Sequence, residues 1–395
     1  MNLTNLHKDA HFCIQTYFDP EDLLHLTEVN STLKNTVIWD AMLRLKFPFS
    51  DTQLFPTPFE TFKYETLKQK NWRQGTCIQE LICPENRGNT ILGSSMNSKW
   101  WVISYDNALL LANRTTKQVS TINIETKNEL NKPTFEETIL HENILACRDS
   151  DCSLKVYDLV NSVELMNYQH NNRLTALQLE NGWIAFGSSC GEVGIYSNQG
   201  SILKQTLQGA IKSIQFSSFS LLSAGANSII EIDLNTYNIK YNSQTASYIK
   251  SFIPWNENCH ITGSYNGEIA MHDRRAPPAP LRVGQESSPI VCLAKNENLI
   301  SAANNVMRQW DMRYLKIPLL EKLTDQPITS LQADSTKIVY GDYNGTVRVT
   351  PLNAPDLTYS AIQGTNAVKN LQFRETELVA SFYNGEVLRC NFSSH

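Results

Sequence analysis

Tyr105, Tyr265, Tyr343 and Tyr383 each end a short apolar run and precede a polar turn, so one local context recurs four times. Aromatic rings with polar tips, repeated at one position, offer rigid contact area to another macromolecule. Lys212 and Lys369 hold equivalent places near the start of other apolar runs and would add positive charge. Lysines act there as point charges, not as the guanidinium forks that grip phosphate in bidentate fashion. Bond-making chemistry has no comparable support. The chain carries no H-E-x-x-H, no P-loop and no Ser-x-Asp-x-Gly-x-x-Trp box, and its G-x-S-x-G string, Gly187 to Gly191, falls on one copy of the repeat described below. Its eight histidines form no ligand-spaced cluster, and none of its nine cysteines pair at the two-residue separation of a zinc knuckle. A non-catalytic binding protein without metal or cofactor is the expectation.

Bulk composition narrows the partners. The chain has 395 residues, a net charge of −5 and only 18% charged residues. No basic stripe is present for a nucleic-acid backbone. Apolar runs such as 108–112 are far shorter than a membrane span, and the first residues lack the pattern of a secretory signal. An odd number of cysteines, several inside apolar runs, fits buried thiols in a reducing cytoplasmic or nuclear compartment.

The elements that must position these residues come from a repeat. Three copies are clearest: Thr262 to Ile269, Tyr340 to Val347 and Ala380 to Val387, each a short strand, a Tyr-Asn-Gly turn and an alternating strand. Asn-Gly between such runs signals a hairpin, because both residues accept positive φ. Weaker copies lie at 103–107, 147–151, 187–191, 223–227 and 301–305. Landmarks at Asn107, Cys152, Gly191, Asn227, Gly267, Asn305, Gly345 and Gly385 are spaced by 45, 39, 36, 40, 38, 40 and 40 residues. The long first step fits an insertion at 126–133. A period near 40 with several strands per unit predicts a mainly β fold, a β-propeller. Eight blades are expected, or seven if one weak unit is irregular. The last unit lacks an outer strand, and Cys77 to Cys83 lacks another role, so that segment is expected to complete the last blade and remove the open edges. The loops at one mouth of such a ring gather residues from every blade. The four tyrosines and two lysines fall there as expected substrate-binding residues, unless the rings pack across their own turns.

These units resemble WD repeats, on the strength of Gln309-Trp310-Asp311-Met312-Arg313 and the related Val156-Tyr157-Asp158, Ile232-Asp233 and Met271-His272-Asp273. The family's Gly-His pair is mostly absent, and its turn Asp is read as often replaced by Asn. In related propellers, basic residues at the mouth bind phosphorylated or acidic peptides.

Residues 5–47 read as short helices, with a start at Asp19-Pro20-Glu21-Asp22, where Pro suits the first helical position. The string Tyr17-Phe18-Asp19-Pro20-Glu21-Asp22-Leu23-Leu24-His25-Leu26, then Val29, Leu33 and Trp39, resembles an F-box, with 1–50 as the module, 51–75 as a helical linker and 76–395 as the propeller. That resemblance implies a substrate receptor of a ubiquitin ligase, bound to a Skp-type adaptor and through it to a cullin. The adaptor-binding residues it implies are Leu6, Ile14, Tyr17, Asp19, Pro20, Leu23, Leu24, Leu26, Val29, Leu33 and Trp39. The competing readings are helices that merely cap the propeller and a WD-repeat scaffold. A third is attachment through W-D-x-R boxes, at Trp310, Asp311 and Arg313 and in a near copy at Asp273 and Arg275.

Overall fold

A computed structural model describes residues 19–29, 38–47, 55–83, 91–105, 108–114, 116, 118–123, 134–197, 202–207, 209–217, 220–276, 279–314, 317–352 and 354–393. It divides into two compact units. One holds 1–79 with 374–377 and 390–395, and the other holds 80–373 with 378–389.

The first unit carries three described helices: α1 (Pro20–Val29), α2 (Ile38–Lys46) and α3 (Pro58–Gln74). Helix α1 begins at Pro20, as the sequence predicts, and Leu23 N–H bonds back to the Asp19 carbonyl at 3.2 Å. Helix α3 is fenced at both ends. The Thr57 side chain accepts from the Glu60 N–H at 3.3 Å, Pro58 opens the helix, and Gly75 ends it at φ 70°. The apolar faces meet in one cluster of Leu23, Trp39, Met42, Leu43, Phe47 and Phe62. Phe62 is central: the Trp39 ring lies 5.1 Å away and the Phe47 ring 5.3 Å. A Lys70–Glu21 ion pair at 3.1 Å joins α3 to α1.

The strands form eight four-stranded antiparallel sheets, the blades of an eight-bladed propeller. Blades 1 to 7 use consecutive strands, with inner strands β2 (Ile91–Met96), β6 (Phe135–His141), β10 (Leu174–Glu180), β14 (Ser213–Ser217), β18 (Ile249–Asn256), β22 (Ile290–Lys295) and β26 (Ile328–Ala333). Blade 8 runs β30 (Val368–Arg374), β31 (Glu377–Phe382), β32 (Val387–Asn391), and its outer strand is β1 (Ile78–Cys83). The segment expected to close the last blade does so, and the eight-blade count holds. The expected insertion at 126–133 lies outside the described residues.

Period-two patterning explains the layers. Second strands such as 259–264, 299–303 and 377–382 are buried at every position, because a blade face lies on either side. Outer strands alternate or face solvent, as in 163–169 and 318–323. Between blades the packing leaves no room for a side chain at Gly263, where an added Cβ would sit 2.3 Å from a methyl of Ile290.

The Asn-Gly hairpins differ from expectation in one respect. Gly267, Gly345 and Gly385 have φ of 80°, 80° and 93°, but their preceding asparagines stay at negative φ. Each glycine N–H reaches back three residues, as from Gly345 to the Asp342 carbonyl at 3.2 Å. The loop is therefore a three-residue Tyr-Asn-Gly turn with left-handed backbone only at its last residue. That geometry sets Tyr at the tip.

Candidate ligand-binding mouth

Six inner strands carry a β-bulge at the same place, skipping one residue between Ile91 and Gly93, Phe135 and Glu137, Leu174 and Ala176, Ile249 and Ser251, Ile290 and Cys292, and Ile328 and Ser330. A bulge leaves one residue out of the ladder and bends the strand. The skipped residues include Glu136, Thr175, Lys250 and Thr329, and Lys212 and Lys369 occupy the same repeat position. The Tyr turns lie at this same end of each blade. Their backbone N–H groups bond to the chain just before the inner strand, Tyr265 to the Tyr248 carbonyl at 2.8 Å and Tyr343 to the Pro327 carbonyl at 3.0 Å.

The rings do not pack across their own turns. Tyr265, Tyr343 and Tyr383 are 60%, 65% and 50% exposed, which leaves their faces open to a partner. The side chain of Tyr105 lies outside the described residues. Two of the rings carry a lysine from their own blade. Lys250 Nζ stands 5.8 Å from the centre of Tyr265, and Lys369 Nζ stands 5.4 Å from that of Tyr383. Lys212 stands 5.3 Å over Tyr248. Such pairs preorganise a cation against an aromatic face. Burial lowers the Lys369 pKa, and the Glu136 carboxylate pulls it back up. Lys250 escaped the sequence reading, although Ile249-Lys250-Ser251 repeats Ile211-Lys212-Ser213.

On blade 2 the acidic groups are held by arginines. Glu136 is gripped by Arg148 and by Arg173, the latter at 2.5 Å, and Arg148 also holds Glu137 at 2.8 Å. Desolvation raises the Glu137 pKa, and Arg148 works against it. A cavity of about 250 Å³ lies between the inner strands of blades 2 to 4, lined by Glu137, Gln178, Lys212 and Gln215 among others. The lysines Lys212, Lys250 and Lys369 stand on blades 4, 5 and 8.

The polar network within blades survives in altered form. In blade 6 Trp310 Nε1 donates to Ser301 Oγ at 2.9 Å, Ser301 donates to Glu286 at 3.0 Å, and Glu286 pairs with Arg308. Glu286, between the outer strand of blade 5 and the inner strand of blade 6, provides the acceptor. The buried turn acid persists as well. Asp342 accepts the N–H of Thr346 at 2.9 Å, and Asp149 that of Ser153 at 2.9 Å. The asparagines read as its replacement lie two residues further on and cap the turn instead, as Asn266 does for Glu268 N–H at 3.1 Å.

Other predicted positions fall elsewhere. Arg313 wraps back onto Asp311, with Nη2 at 2.7 Å, and Arg275 does the same to Asp273 at 2.7 Å, so the two boxes share one geometry. Both aspartates are held well below the usual carboxylate range by these arginines. Trp310 itself is buried and unavailable to a partner. In the helical unit, Leu23 and Trp39 are also buried, each 4% exposed, because Phe62 of α3 covers them. Leu24 is half-buried and Asp19 exposed, while Pro20 is half-buried at the head of α1. Leu6, Ile14, Tyr17 and Leu33 lie outside the described residues, as do the side chains of Leu26 and Val29. Among the described residues no cluster of three potential metal ligands occurs, and no helix is long and apolar enough to cross a membrane.

Known structures share the ring. The computationally designed Ika8 protein matches at 18% identity and a TM-score of 0.66, covering 80% of this chain and all of its own. The fold is a WD40-like eight-bladed β-propeller. The crystal structure of Saccharomyces cerevisiae Sqt1 matches at 12% identity and TM-score 0.67, covering 79% of this chain and 98% of that one. The Dos1 propeller matches at 16% identity and TM-score 0.67, covering 79% and 94%. No family model and no curated protein matches the sequence. At these identities the likeness extends to the fold alone.

Proposed function

We propose that this chain is a non-catalytic receptor that grips a partner protein at the mouth bearing Tyr265, Tyr343 and Tyr383, with Lys212, Lys250 and Lys369 beside them. The observation that carries this reading is the exposure of three aromatic rings at turn tips, a costly arrangement for rings with only a structural task. The lysines favour a partner segment with acidic groups. The resemblance of the first fifty residues to an F-box supports a second attachment, to a Skp-type adaptor and so to a cullin ligase. On that reading the ring presents a substrate for ubiquitin transfer. Because Leu23 and Trp39 are core residues, an adaptor would have to rest on the remaining helical surface.

The test has two arms. Co-purification with a Skp-type adaptor should occur with the whole chain and vanish on removal of residues 1–47. Substrate capture should fall at least tenfold in a Tyr265→Ala, Tyr343→Ala double variant with an unchanged melting midpoint. Capture at the original level in a stable double variant defeats the mouth assignment. The matched Asp273–Arg275 and Asp311–Arg313 turns favour a second reading, adaptor attachment through this pair, and Arg275→Ala with Arg313→Ala would then abolish adaptor binding.

A further inference from the structure

The chain brings two cysteines from its opposite ends together. Cys77 immediately precedes β1, and Cys390 lies in β32, the strand paired with β1 in the last blade. Contacts just before Cys77 and just after Cys390 hold the two backbones in place. Trp72, at the end of α3, stacks on Phe392 with centroids 3.7 Å apart and planes 15° from parallel. Its Nε1 donates to the Glu375 carbonyl at 2.6 Å. Asn71 Nδ2 donates to the Phe392 carbonyl at 3.2 Å, and Thr76 N–H bonds back to the Asn71 carbonyl at 3.0 Å. Within this frame the Cys390 thiol donates a hydrogen bond to Cys77 sulfur. Cys77 is half-buried and Cys390 buried, so one sulfur is open to a solute and the other waits behind it.

We propose that Cys77 and Cys390 form an oxidative modification site, in which hydrogen peroxide converts the thiol pair to a disulfide that fastens the closing strand of the last blade. The Cys77 thiolate attacks the peroxide O–O bond, forming an S–O bond and expelling hydroxide, which is protonated to water. The Cys390 sulfur, losing its proton, attacks the resulting sulfenic acid, forming the S–S bond and releasing a second water. Two thiols are oxidised and one peroxide is reduced to two waters. The hydrogen bond from Cys390 lowers the Cys77 pKa, which favours the attacking form, while Cys390 is raised. Burial pushes Cys147, Cys259 and Cys292 upward as well, Cys292 to about 12, which keeps them as unreactive thiols. The disulfide would close a loop spanning most of the chain, the case in which a cross-link most restricts the unfolded ensemble.

The experiment uses the full reduced chain, treated with hydrogen peroxide and blocked with iodoacetamide before non-reducing peptide mapping. A linked peptide pair containing Cys77 and Cys390 is expected, cleaved by reductant. The oxidised chain should melt roughly 5 °C higher than the reduced one. Cys390→Ser should trap Cys77 as a dimedone-reactive sulfenic acid, and Cys77→Ser should abolish both the link and the melting shift. Circular dichroism melting of the two reduced variants checks that each remains folded. Independent alkylation of Cys77 and Cys390 after oxidation, or linkage of Cys77 to exposed Cys190 instead, overturns the proposal.

Discussion

Blades 5 and 6 are neighbours with the same lower turn and different interiors. Both close their third strand with an aspartate held by an arginine two residues on. Inside, blade 6 satisfies its polar groups in a chain from Trp310 through Ser301 to Glu286 and Arg308. Blade 5 puts His272 at the place of Trp310. That ring bonds Thr262 Oγ1 at 3.0 Å and Ser243 Oγ at 3.1 Å. His260 is its direct cross-strand partner, and neither ring nitrogen of His260 has a hydrogen-bond partner among the described residues. Glu231, paired with Arg274 at 2.8 Å, also leaves one buried oxygen without such a partner. One architecture thus tolerates two interiors, one built around an indole and one around a pair of histidines. At the place of Trp310 and His272, both side chains fill the space and find a partner, although their types differ.

The largest effect should come from emptying blade 6. Trp310→Ala removes a buried indole and orphans Ser301, and is expected to cost about 3–5 kcal/mol in urea unfolding. His272→Ala, in the corresponding place, should cost less, since it removes a smaller ring. Equal losses would show that the two interiors are energetically alike.

Acid should separate the blades next. Burial holds His260 and His272 at a pKa of about 4, against an ordinary 6.5. Between those values the unfolded chain takes up protons that the folded chain refuses. Stability therefore falls as pH drops from 6.5 toward 4 and is undiminished by these groups above 6.5. The loss for one ring is about 3 kcal/mol. Glu231, Asp273 and Arg274 act on His260 in opposing directions but do not outweigh its burial. His260→Gln should flatten the difference between urea midpoints at high and low pH. An unchanged pH slope in that variant would show the histidine pair to be uncoupled from folding.

Turn chemistry gives a smaller effect, shared by other blades. Gly345→Ala meets both a left-handed backbone and the Asn366 carbonyl oxygen, 2.3 Å from the added carbon, and should cost roughly 1–3 kcal/mol. Gly267→Ala in blade 5 should match it, because its Cβ would meet the Glu286 carbonyl at the same distance. The smallest effect belongs to the feature that blades 5 and 6 share. Arg275→Ala and Arg313→Ala should each leave the melting midpoint unchanged, since both side chains are largely exposed, at 65% and 82%. A clear shift in only one of them would show that the matching geometry conceals unequal roles.

Much of this was legible in the sequence. The forty-residue period and the orphan segment 77–83 sufficed for eight blades and their closure, because a ring leaves no other place for an unpaired strand. Tyr265, Tyr343 and Tyr383 were expected just before the turn and stand within it, at its tip, because left-handed backbone is confined to the glycine. The bulge was not legible, since a skipped residue leaves no mark on the alternation of apolar positions, and Lys250 was missed with it. Glu286 escaped because it is distant in sequence from Trp310 and differs from the family's residue. Leu23 and Trp39 expose a deeper limit. A helical apolar stripe states that it will be covered, and here Phe62, from a helix read only as a linker, does the covering.

In six inner strands the bulge takes one residue out of the ladder register, so the pairing does not dictate its type. Leucine, glutamate, threonine, valine and lysine all occupy it in this one molecule. Such a position can be rewritten one letter at a time, changing what the opening attracts while the scaffold beneath stays as it is. The repertoire of partners can then drift faster than the architecture that displays it.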